Sequence, residues 1–164
     1  MTYLTGDEEK EAIRWMKEAS LIATQALCKR AKCGTVIVAQ GEVIGTGYNA
    51  PPLDSSVNQY CLKPYDFSGK PKYDHTCCMH AEWRAIIDAL QKNPHKIQGS
   101  TLYFTRVDDA GSIVKSGEPF CTVCSRCALD VGIAQFVLWN DTGICVYETE
   151  EYNTLSYAYR EPIS

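Results

Sequence analysis

The sequence predicts a three-layer α/β/α fold, a mixed sheet of about five strands with helices on both faces. Two observations carry this. After a first amphipathic helix, strand-like and helix-like segments follow in the order β-β-α-β-α. The connection between the last two strand-like segments is too short for a parallel crossover, so the sheet is not wholly parallel. With 164 residues, the chain has the length of one domain, 1–164, large enough to bury a core without disulfides.

Thr5 with Glu8 three residues later reads as a capping box, and Ile13, Met16, Ser20, Ala23 and Leu27 fall on one face of a helix from about Asp7 to Leu27. Gly34 to Ala39 and Val43 to Tyr48 are β-rich runs separated by Gln40-Gly41-Glu42, hairpin spacing with a turn glycine. From Ala50 to about Thr76 the chain carries Pro51, Pro52, Pro64, Gly69 and Pro71, and a loop of that length in a compact domain needs something to organise it. Trp83, Ile86, Ile87 and Leu90 mark a second helix from Met79 to Lys92, ended by Asn93-Pro94.

Thr101 to Thr105 is a strand and Asp108 to Gly111 a turn, with a short return strand at Ile113 and Val114. Cys124 to Val131 is a short helix stopped by Gly132, which tolerates left-handed backbone. Gln135 to Trp139 and Ile144 to Tyr147 are the last strands, and Asn140-Asp141-Thr142-Gly143 between them makes the pair antiparallel. A short helix is expected near Glu150 to Ser156.

A net charge of -4 argues against general affinity for nucleic acid, which clustered Lys and Arg would drive. The small basic cluster Lys29, Arg30 and Lys32 is a solvated face or a phosphate contact. The first residues, Met1 to Asp7, lack the basic and apolar regions of a secretory signal, and no apolar run has the length to cross a bilayer. A cytoplasmic chain with no membrane partner is expected. Nine cysteines, an odd number, then read as metal ligands plus buried thiols rather than a disulfide framework, with Cys33 and Cys145 in the core.

His80-Ala81-Glu82 opens the second helix and Cys121-Thr122-Val123-Cys124 the third. One histidine and two cysteines make a three-ligand zinc site whose fourth position is free for water, as catalytic zinc requires. The partial positive charge at two helix starts favours thiolates. Glu82 points about half a turn away from His80 on a 3.6-residue helix, so it suits a proton shuttle better than a fourth ligand. A lone Cys-x-x-Cys is ambiguous between redox pair, structural half-site and chance, and Cys127 offers a second choice of pair with Cys124.

Together these residues resemble the zinc-dependent cytidine and deoxycytidylate deaminase superfamily, whose signature is His-x-Glu followed by Pro-Cys-x-x-Cys. The resemblance runs from about Cys28 to Trp139, adds Thr46-Gly47-Tyr48-Asn49 and Leu102-Tyr103-Phe104-Thr105, and is nearest the deoxycytidylate branch. It implies the cytidine-deaminase-like fold and a zinc held by His80, Cys121 and Cys124. It implies attack of zinc-activated water on C4 of cytosine, with Glu82 taking the water proton, delivering it to N3 and then helping the amine leave as ammonia. It further implies that the Ala81 amide holds the base carbonyl, that Asn49 contacts sugar or phosphate, and that the chain forms a homo-oligomer.

One departure concerns the cysteines. The family has proline directly before the first, where this chain reads Pro119-Phe120-Cys121; Gly132-Ile133, eight residues after Cys124, favours Cys121 with Cys124 by register. Some deoxycytidylate deaminases also carry a structural zinc. Here it would fall to Cys28, Cys61, His75 and either Cys77 or Cys78, which are otherwise buried thiols and a surface histidine.

The expected activity is hydrolysis of a pyrimidine nucleotide, dCMP to dUMP with release of ammonia. The alternatives are deamination of a base in single-stranded DNA or tRNA, and a zinc-stabilised binding module without turnover. The segment from Arg106 to Phe120 is longer than the family's approach to the cysteines and sits where it would cover the pocket. An antiparallel last strand would move the chain from the deoxycytidylate branch towards the cytidine one.

Overall fold

A computed structural model describes residues 1–59, 77–115 and 117–159. β1 (Thr2–Tyr3) precedes α1 (Gly6–Ala23), followed by β2 (Lys32–Ala39), β3 (Glu42–Tyr48), α2 (Ala81–Lys92), β4 (Thr101–Val107) and β5 (Ile113–Val114). α3 (Thr122–Asp130), β6 (Gln135–Asn140), β7 (Gly143–Glu148) and α4 (Thr149–Ala158) complete the chain. The strands form one sheet in the order β1-β7-β6-β4-β2-β3, with β5 paired to β4. The five long strands and the short β5 are the predicted ones; the two-residue β1 adds to them at the margin.

The sheet is mixed because its connections are. Gln40 (φ 53°) and Gly41 (φ 75°) form a two-residue turn between Ala39 and Glu42, both in the left-handed region as a type I′ hairpin requires. Asp141 and Thr142 form another between β6 and β7, closed by Asn140 Oδ1 accepting from the Thr142 and Gly143 amides at 3.0 Å each. β7 is therefore antiparallel to β6. β4 and β6 run parallel, with Leu102 opposite Phe136, and the crossover between them carries α3.

Alternation along the strands supplies two apolar faces. Val36 and Val38 pack with Trp15 and Ala19 of α1, while Ile37 between them packs with Ala85, Ile86 and Ala89 of α2. In β6, Val137 meets Ala12 and Met16, and Phe136 and Leu138 turn to the opposite side with Ala128 of α3 and Tyr152 of α4. Phe136, Leu102, Ile37 and Ile86 are essentially fully buried, each contributing roughly 1.5–3 kcal/mol.

The helix ends depart from the sequence reading. Thr5 is the N-cap of α1, but its side chain makes no capping bond, and Gly6 follows it at φ 62°. The carboxylates Asp7, Glu8 and Glu9 in the first turn complement the helix dipole instead. The helix stops at Ala23 because the chain then turns to reach β3, where the Leu27 amide donates to the Asn49 carbonyl at 3.2 Å. Its buried face is Ala12, Trp15, Met16, Ala19 and Ala23, so Met16 and Ala23 of the expected set are buried and Ile13, Ser20 and Leu27 are not; Ala19 and Ala23 lie against Gly34, where a Cβ would come only 2.1 Å from the Ala19 carbonyl oxygen. Backbone contact selected small residues at Ala19 and Ala23. On α2 the same rule buries Ala81, Ala85, Ile86 and Ala89 and leaves Ile87 and Leu90 exposed.

α2 rests on β3 through glycines. A Cβ at Gly47 would come within 2.2 Å of the Ala81 carbonyl oxygen and 2.4 Å of the Ala85 nitrogen, and one at Gly45 within 2.4 Å of the Ala85 carbonyl oxygen. Glycine inside a strand marks such an approach. Gly47→Ala is expected to destabilise the protein by about 1–3 kcal/mol or more, as overpacking against backbone cannot relax by rotamer change. A urea midpoint equal to that of the parent would show that α2 does not rest there.

Candidate metal centre

Two helix starts meet at the carboxyl ends of β3, β4 and β6. Met79 and Ala50 exchange backbone hydrogen bonds of 2.8 and 3.3 Å, which bring the chain off β3 into position to begin α2 with His80 as N-cap. Cys121 is the N-cap of α3, and its Sγ accepts the Cys124 amide at 3.2 Å. His80 Nδ1 lies 3.1 Å from Cys124 Sγ and 3.4 Å from Cys121 Sγ, and the three donor atoms are within 4.8 Å of one another. Tetrahedral zinc, with Zn–N near ~2.0 Å and Zn–S near ~2.3 Å, spans an N···S edge of about 3.5 Å. The two N···S edges of the trio match that ion to within a few tenths of an ångström.

The electrostatics suit a cation. Hydrogen bonding from the Cys124 thiol, then from His80 and the Cys124 amide, lowers the Cys121 thiol to about 5 against the opposing effect of burial. Cys124, fully buried, goes the other way: burial first, then the shared hydrogen bond with Cys121, keeps its proton on. Glu82 is buried on the first turn of α2 beside the pair. Burial chiefly, and the Cys121 charge next, raise its carboxyl above the usual range, so it is a ready proton acceptor. Among the described residues the ligand group holds neither Glu82 nor Cys127. Cys127 packs against the core, where burial raises its thiol.

Other expected residues have structural commitments. Ala81 is the first residue of α2 and buried against Gly47. Asn49 Oδ1 accepts from the Cys33 amide and its Nδ2 donates to the Ala31 carbonyl, both at 2.8 Å, so the side chain ties the end of β3 to the start of β2. Lys32 pairs with Asp109 at 3.0 Å, while Lys29 and Arg30 are exposed. Cys77 and Cys78 sulfurs are 3.8 Å apart, and burial chiefly, with Cys28 and Cys77 nearby, raises the Cys78 thiol. Cys61 and His75 lie outside the described residues. The long segment after β4 folds back as β5, and Gly117 packs so tightly on Trp139 that a Cβ there would be 2.7 Å from its backbone carbon.

The sequence reading missed the parts that three residues play at the site. Trp83 stacks on the His80 imidazole, centroids 4.8 Å apart at 17°, and its position three residues after the histidine was the available signal. Arg84 clamps the loop after Asn49, donating to the Pro51 carbonyl at 2.7 Å, pairing with Asp54 at 2.9 Å and lying over the Tyr48 ring. Tyr152 reaches the loop before Cys121 from α4, with no local pattern to announce it.

Residues 9–140 match the family described as "Cytidine and deoxycytidylate deaminase zinc-binding region". A deoxycytidylate deaminase of Saccharomyces cerevisiae is 32% identical over 126 residues, 75% of this chain but 35% of the yeast protein, so the chain spans about a third of that relative. A dCMP deaminase from the cyanophage S-TIM5, solved with dCMP and dUMP, superposes with a TM-score of 0.51 at 22% identity over 81% of this chain and 82% of that one. A cytidine deaminase from Burkholderia pseudomallei superposes with a TM-score of 0.57 at 16% identity over 85% and 94%. Both show the shared fold. The sequence thus lies with deoxycytidylate deaminases, while the antiparallel β7 is the arrangement expected of the cytidine branch.

Proposed function

Since the chain belongs to the cytidine and deoxycytidylate deaminase family, we propose that it hydrolyses the C4 amine of a free cytosine nucleotide, dCMP to dUMP, releasing ammonia. The observation carrying this is the His80, Cys121 and Cys124 trio, with a buried Glu82 beside it and no fourth ligand among the described residues. Zinc held by the trio would supply Lewis acidity and lower the pKa of water at the open position.

Glu82 takes one proton of the attacking water and delivers it to N3, then takes the proton of the new C4 hydroxyl and gives it to the exocyclic nitrogen as the C4–N bond breaks. Water supplies the oxygen of the new carbonyl, and ammonia carries the nitrogen away. The Ala81 amide, at the start of α2, holds the base carbonyl. Asn49 meets the sugar or phosphate through what its amide has left after the two backbone bonds. Trp83 keeps the His80 ring in plane.

The reading includes a homo-oligomer in which the exposed Ile87 and Leu90 of α2 are covered, and a cytoplasmic location. Among the described residues no helix is long and apolar enough to cross a membrane. A second, structural zinc would draw on Cys28 and Cys78, with Cys61 and His75.

Ammonia release from cytosine, cytidine, deoxycytidine, their monophosphates and a cytosine oligonucleotide tests the substrate. dCMP is expected to give the highest kcat/KM. Preference for a nucleoside would move the assignment to the cytidine branch, preference for the oligonucleotide to nucleic acid, and silence on all with zinc bound would end the enzyme reading.

A further inference from the structure

The family match ends at residue 140, yet the residues after it reach the metal centre. The Phe120 amide, one residue before Cys121, donates to the Tyr152 hydroxyl at 3.4 Å. On the other side of the cysteine pair, Ser125 directly follows Cys124 and donates its hydroxyl to Asn153 Oδ1 at 2.8 Å. Two adjacent residues of α4 therefore bracket the two thiols. We propose that α4 is part of the scaffold of the metal centre and that Tyr152 is a positioning residue, holding the Phe120 peptide and through it Cys121 at the distance that binds zinc.

The packing makes Tyr152 a fixed post. Its ring is buried, stacked on Phe136 with centroids 4.2 Å apart at 27°, and set edge-on to Tyr147 at 6.2 Å and 87°. Phe136 belongs to β6, so the hydroxyl is anchored to the sheet rather than to the loop it serves. Phe120 has an amide hydrogen that needs an acceptor, and Tyr152 supplies one. The Phe120 ring meets Tyr159 just beyond α4, edge-on at 4.8 Å, a second contact between the same loop and the same segment. Burial and nearby Glu82 keep the phenol protonated, so it stands there as a neutral group. Residues that orient a metal ligand from behind in this way tune affinity without touching the ion.

The inference rests on the trio being the zinc site. Tyr152→Phe keeps the ring and removes only the hydroxyl. Zinc affinity is read by competition with a chromogenic chelator, ligand geometry by the visible spectrum of the cobalt(II) form, and the fold by thermal unfolding of the metal-free protein. Tyr147→Phe, which trims a phenol of the same cluster that does not bond the Phe120 peptide, is the control.

The expected result is an affinity about tenfold weaker for Tyr152→Phe. Its cobalt bands should be shifted and its metal-free Tm close to that of the parent, with Tyr147→Phe unchanged in affinity. Parent-like affinity and spectrum overturn the proposal, as does an equal loss of affinity in the control. If the parent itself binds no zinc through the trio, it is the underlying site assignment that fails.

Discussion

Glu82→Gln is expected to keep its zinc and to lower kcat by about 10²–10⁴-fold, the contribution of a positioned general acid and base. The change is nearly isosteric, so the first turn of α2, its seat on Gly47 and the direction of His80 are retained. What is lost is a group able to take a proton and give it back. The carboxyl is buried next to a thiolate-forming cysteine, and those surroundings raise its proton affinity towards what a shuttle needs. Rates measured with dCMP under saturating zinc check this. A kcat within threefold of the parent would remove Glu82 from the mechanism, and loss of zinc would make it a ligand.

Cys124→Ala is expected to lower the zinc content by one ion per chain and to bring turnover to background, because two remaining ligands fall short of the three protein ligands an open catalytic zinc site uses. Cys127→Ala, one helical turn on, should keep its zinc, since that thiol packs in the core. The pair of variants also separates an open from a closed site. If Cys127 were a fourth ligand, both would lose the metal, and the centre would be structural. Metal content by elemental analysis decides between these outcomes, and an ion that survives Cys124→Ala would have to sit elsewhere, Cys28 and Cys78 being the first place to look.

Much of this centre was legible because its residues are local to helix starts. His80-x-Glu82 and Cys121-x-x-Cys124 each sit within one turn, so spacing alone states which side chains share a direction. The antiparallel β7 was legible for a similar reason: a four-residue connection leaves a strand no other way to return. Contacts between distant elements were not. On the buried face of α1, Ala19 and Ala23 are small because Gly34 admits the helix backbone there, a contact that hydrophobic periodicity does not reveal. Leu27 left the helix to bond Asn49 across the sheet end. Tyr152 reaches Phe120 from 32 residues away, through packing on Phe136 that no window of sequence contains.

The seat of α2 on Gly45 and Gly47 has a consequence for how the protein tolerates change. Where two elements touch through side chains, each substitution alters their spacing, and the core drifts as its residues are exchanged. Here the spacing is set by main-chain atoms, whose size does not vary. The height of His80, Ala81 and Glu82 above the sheet is thereby uncoupled from the volumes of Ile37, Ile44 and Ile86 a few residues away. The interior beneath is free to be repacked over many generations while the reacting groups keep their positions.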